Sequence, residues 1–194
     1  MPSLCLISVA FSQLLGRASN SFSALPASGI SLIGWTALKF LYQFCFFNGT
    51  GEEVGWRGFA LSRLQMHVSP LIATLLLSFI WVPWHVFLWQ AEGRSINTLS
   101  FWLMSYLINI PASVIICWIF NRSQGSILAA GIAHAAANTV TAMFENLDSN
   151  VLALRVYVFV IVIVFADRIW RKLPMDHPAV YKDVIPSVST EIAG

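Results

Sequence analysis

Charge is what this sequence has least of. Lys, Arg, Asp and Glu make up 10% of its 194 residues, where a soluble domain carries about 25%. That deficit excludes a water-soluble globular surface. The net charge is only +2, with no basic cluster interleaved with aromatics and no glycine-rich phosphate loop. No nucleic-acid partner is expected. Cysteine is sparse too: Cys5, Cys45 and Cys117 sit in apolar stretches without C-x-x-C spacing. They read as small hydrophobes, and neither a disulfide nor a thiolate metal site is expected. The opening "MPSLCLISVAFSQLLGR" has no basic region ahead of its apolar part. It makes a poor signal peptide and reads as a short or truncated first helix. Internal repeats and low-complexity segments are absent.

Apolar residues are abundant, at 57%, and the mean hydropathy is +0.72. Eight tryptophans suit a chain with two membrane–water interfaces. A spanning helix needs roughly 20 mostly apolar residues. Residues 28–48, 69–90, 98–120 and 125–144 qualify; 151–166 is shorter, and 2–15 is marginal. Links between the later spans are short, which implies antiparallel neighbours in one bundle. The expected fold class is an all-α, polytopic transmembrane bundle. The expected domains are a marginal first helix and loop (1–27), a core (28–166) and a polar C-terminal tail (167–194). The tail from Arg168 onward, with Pro174, Pro178 and Pro186, is expected to be loosely ordered.

Residues 52–67 differ from the spans. Val54, Trp56, Phe59, Ala60, Leu61 and Leu64 alternate with Glu53, Arg57, Arg63 and Gln65. This predicts an amphipathic α-helix of about four turns, interfacial or re-entrant, entered through a turn at Gly49 and Gly51. The basic run "DRIWRK" places the C-terminus in the cytoplasm. Partners are then the lipid bilayer and a membrane-associated peptide or protein, in the plasma membrane of a bacterium.

Ionisable groups inside a bilayer are costly and point to function. Three polar spots stand out: "EEVGWR" (Glu52 to Arg57), "WVPWH" (Trp81 to His85) and "HAAAN" (His134 to Asn138). Glu53 and Arg57 are i,i+4 and can pair on one face. Glu52 points elsewhere and stays free. His134 and Asn138 are also i,i+4, with small alanines between them that permit close approach. Pro83 frees the carbonyl of Phe79 and kinks the span near His85. A free glutamate, two histidines and an asparagine form a hydrolytic set. The glutamate activates water, a histidine holds that water or protonates the leaving amine, and N–H groups meet an oxyanion. Glu52, His85 and His134 are also the ligand types of a catalytic zinc. A water-only site is slightly favoured over zinc, and the three side chains are expected to converge to within one water's reach. Each spot alone has a structural reading as helix–helix glue; the three together argue against one. Lys39 either snorkels or pairs with a glutamate. His67 and His177 receive no role.

The ordered triplet resembles the CPBP intramembrane proteases, which include type II CAAX prenyl endopeptidases, lysostaphin-resistance-protein-A-like proteins and Abi proteins. The family pattern is E-E-x-x-x-R, F-x-x-x-H and H-x-x-x-N/B. The first and third match; in the second, Trp81 stands where the family usually has phenylalanine. The resemblance implies a cavity lined by Glu52, His85, His134 and Asn138, supported by Glu53, Arg57 and Trp81. It implies peptide-bond hydrolysis, with His134 and Asn138 near the oxyanion, on membrane-associated or prenylated substrates. The alternatives are a non-catalytic bacteriocin-immunity or scaffolding protein and a proton-coupled transporter, the latter weakened by the lack of a repeat.

Overall fold

The computed structural model describes residues 32–143 and 149–181. Residues 1–31, which include the expected helix at 2–15, residues 144–148 and residues 182–194 lie outside the described residues. Among the described residues the chain is all-helical. Helix α1 is Leu32–Tyr42, followed by two π-helical segments, π1 (Gln43–Glu52) and π2 (Val54–Leu61). Then come α2 (Ser62–His67), α3 (Pro70–Trp84), α4 (Val86–Ala91), α5 (Leu99–Arg122), α6 (Ile127–Met143) and α7 (Ser149–Ala166).

Among the described residues, two helical stretches are long and apolar enough to cross a membrane: Pro70–Ala91, with 22 residues, and Leu99–Arg122, with 24. Their starts are capped by side chains. Ser69 Oγ accepts from the Ile72 N–H at 3.4 Å, with Pro70 at the first helical position. Thr98 Oγ1 accepts from the Phe101 N–H at 3.2 Å. Their outer faces carry Phe79, Ile80, Phe87, Leu107 and Ile108, all exposed, as lipid contact requires. Helix α5 is central and packs against α3, α6 and α7. Leu61, Ala73, Leu77, Cys117 and Phe120 form a core between these elements.

Both in-helix prolines have their freed carbonyls met by a tyrosine. Pro83 leaves the Phe79 carbonyl without its helical donor, and the Tyr106 hydroxyl donates to it at 3.3 Å. Pro111 does the same to Leu107, whose carbonyl accepts from the Tyr157 hydroxyl. Within a bilayer such a freed carbonyl has no water to bind, so a side-chain donor is the remedy.

Three expectations need correction. The segment 52–67 is not one α-helix: it is π-helical through Leu61 and α-helical only over Ser62–His67. Its faces are also not sorted by polarity. Glu53, Arg57 and Gln65 are buried, while Val54 and Phe59 are exposed. Lipid cannot solvate the charges, so they turn inward beside the buried Leu61, while Val54 and Phe59 turn out. Lys39, whose role the sequence left open, lies over the Trp35 ring, 5.8 Å from its centroid.

The third correction concerns residues 167–181, which pack back on the bundle instead of trailing loosely. Ile169, Ala179 and Val180 are buried. Gln65 Nε2 donates to the Ala179 carbonyl at 3.0 Å, and the Tyr181 N–H donates to the Ser62 carbonyl at 3.1 Å. The Arg63 guanidinium lies 3.8 Å and 3.6 Å from the ring centroids of Phe59 and Tyr181. The polar composition concealed a few well-placed apolar residues. Gly125 makes the close approach achievable: its φ is +79° and a Cβ there would meet the Pro178 carbonyl at 2.9 Å. Gly125→Ala is therefore expected to cost roughly 1–3 kcal/mol, read as a lower melting temperature in detergent. An unchanged melt would contradict the docking of this strap.

Candidate active site

The strongest polar cluster joins π2, α5 and α6. Glu53 is fully buried and Arg57 is 1% exposed. Arg57 NH1 donates to Glu53 Oε1 at 2.8 Å. The other end of the guanidinium, NH2, donates to Ser113 Oγ on α5 at 3.3 Å. The same Glu53 Oε1 lies 2.6 Å from His134 Nδ1. A carboxylate oxygen only accepts, so Nδ1 carries the proton and the carboxylate sets the direction of the ring. Glu53 Oε2 has no partner among the described residues.

Glu52, one residue earlier, is half-buried and has a different neighbour. Trp81 Nε1 donates to Glu52 Oε2 at 3.0 Å. Trp81 is also the hinge for His85. The His85 N–H bonds to the Val82 carbonyl at 3.2 Å, which releases the Trp81 carbonyl from its helical role. His85 Nδ1 takes that carbonyl at 2.8 Å. A carbonyl accepts only, so His85 Nδ1 is the protonated nitrogen and Nε2 presents its lone pair. The break between α3 and α4 falls at this residue.

Aromatic packing ties the groups together. The Trp81 ring meets His85 and His134 edge-on, with centroids 5.2 and 5.4 Å apart. The Arg57 guanidinium lies 5.1 Å from the Trp81 centroid. On its other side His85 stacks on Trp89 at 5.6 Å. Trp81 and His134 are each 3% exposed, so the rings have little room to move.

The expected convergence therefore takes another form. Glu52, His85 and His134 do gather around Trp81, but the carboxylate bonded to His134 is Glu53, not Glu52. Asn138 follows His134 one turn later on α6. Among the described residues no three His, Cys, Asp or Glu side chains are grouped to hold a metal ion. Ser113 and Trp89 escaped the sequence reading. A lone serine or tryptophan in an apolar span is commonplace, and only the arginine and histidine facing them give them meaning.

Residues 33–140, more than half of the chain, match the Rce1-like type II CAAX prenyl endopeptidases, and the chain belongs to that family. It is similar to CAAX prenyl protease 2 of Methanococcus maripaludis, with 29% identity over 143 residues, 71% of this chain and 51% of that protein. The chain thus spans about half the length of this curated relative. No solved structure matches it.

Proposed function

We propose that the protein is an intramembrane endopeptidase that hydrolyses a peptide bond in membrane-associated or prenylated, CAAX-type substrates, with Glu52 as general base. The observation that carries this is the division of labour between adjacent carboxylates. Glu53 is committed to Arg57 and His134, while Glu52 is half-buried and held through one oxygen by Trp81. The family and the relative named as a CAAX prenyl protease support the same reading.

The chemistry follows from those commitments. A water hydrogen-bonded to the Glu52 carboxylate and to the His85 Nε2 lone pair gives its proton to Glu52 as its oxygen attacks the carbonyl carbon. The oxyanion that forms is met by the Asn138 amide N–H and by His134 Nε2–H, the His134 ring carrying a proton on both nitrogens in this step because its Nδ1–H is committed to Glu53. Protonated Glu52 then returns its proton to the leaving nitrogen. The C–N bond breaks to give a carboxylate and an amine. Water is the only nucleophile required, and elemental analysis of active protein checks that no stoichiometric zinc accompanies turnover. The C-terminus is cytoplasmic in this reading, from the basic run after α7.

The test of substrate class uses the purified chain in lipid vesicles with two otherwise identical peptides, one carrying a farnesyl group. Cleavage of both at similar rates would remove the prenyl requirement. Preference for the farnesylated peptide by about tenfold or more supports the CAAX-type assignment, since burying an isoprenoid chain contributes well over the 1.4 kcal/mol of one decade.

A further inference from the structure

We infer that Trp81 is a positioning residue whose indole N–H aims the Glu52 carboxylate and whose backbone carbonyl aims His85. The inference rests on the reading of Glu52 as general base, and assigns Trp81 a role beyond filling an aromatic position.

Three observations carry it. Trp81 Nε1 donates to Glu52 Oε2 at 3.0 Å, and the Trp81 carbonyl accepts from His85 Nδ1 at 2.8 Å. One residue therefore touches both groups proposed to hold the attacking water. The ring is also fixed: it is 3% exposed and bounded by His85, His134 and Arg57. A locked ring gives its N–H a fixed direction, which is what positioning needs. Finally, an indole nitrogen donates and never accepts. It can restrain one carboxylate oxygen without competing for the proton that the base must take, and the other oxygen stays available to water.

A packing role and a positioning role predict different kinetics. Replacing Trp81 by 3-benzothienylalanine exchanges the N–H for sulfur and keeps the ring shape; Trp81→Phe removes the donor and some volume. Both are compared with the wild-type full chain in vesicles, using the cleavable peptide. Removing a charge-assisted hydrogen bond is expected to lower kcat by about 10- to 100-fold. KM should stay within about twofold, since the interaction lies on the catalytic base and not on the substrate. The melting temperature of the benzothienyl variant should match the wild type.

A second readout needs no turnover. The Trp81 indole N–H resonance, assigned by its loss in Trp81→Phe, should shift in Glu52→Ala if that carboxylate is its acceptor. Unchanged kcat in the benzothienyl variant overturns the inference, as does an indole resonance indifferent to Glu52→Ala. So does a fall in kcat matched by a fall in melting temperature, which would make Trp81 a packing residue. A Glu52→Gln protein that still cleaves at the wild-type rate overturns the reading of Glu52, and this inference with it.

Discussion

Glu52→Gln is expected to fold and to lose turnover by about a thousandfold or more. The glutamine amide keeps the size of the side chain and can still accept from Trp81 Nε1, so little stability should change. It cannot take a proton from water. General-base catalysis contributes about 10²- to 10⁴-fold, and here the base also starts the only covalent step. The melting temperature in detergent and the rate of peptide cleavage are read on the same preparation. A folded variant with near wild-type rate would remove Glu52 from the mechanism. An unfolded one would transfer to Glu52 the structural part assigned to Glu53.

The neighbouring carboxylate should behave in the opposite way. Glu53 and Arg57 are 0% and 1% exposed and pair at 2.8 Å. Replacing either partner strands a charge in a site that lipid and protein shield from water. Glu53→Gln and Arg57→Met should each cost roughly 3–5 kcal/mol, read as a large fall in melting temperature. The two losses should not add, because both variants break one interaction and the double variant strands no charge. His134 also loses its carboxylate in Glu53→Gln, so activity should fall with stability in that variant. If Glu53→Gln proves well folded and inactive, the Glu53 Oε2 that has no partner among the described residues becomes the better candidate for the base, and the roles of the two glutamates are exchanged.

The parts of this arrangement that follow from local spacing were legible in the sequence. The uninterrupted apolar runs at 69–90 and 98–120 correspond to Pro70–Ala91 and Leu99–Arg122. The i,i+4 spacing of Glu53 and Arg57 indicated their pairing, and Pro83 indicated which carbonyl would need a donor. What was not legible depends on tertiary placement. The π-helical winding of 43–61 has no sequence period of its own that separates it from an amphipathic α-helix. The partner of His134 lies 81 positions away, and either glutamate would satisfy the same pattern. The donor for the Phe79 carbonyl is Tyr106, on another helix. The strap at 167–181 is polar in composition, and only its few buried side chains, Ile169, Ala179 and Val180, dock it.

The most direct test of the central claim is cleavage of a membrane-anchored peptide by the purified chain in lipid vesicles prepared in ¹⁸O-water, with the products weighed by mass spectrometry. The account predicts two fragments, one ¹⁸O atom in the newly formed carboxylate, and no product above background from an equally folded Glu52→Gln protein. Intact peptide after incubation with the folded wild-type chain, or equal cleavage by Glu52→Gln, would contradict it.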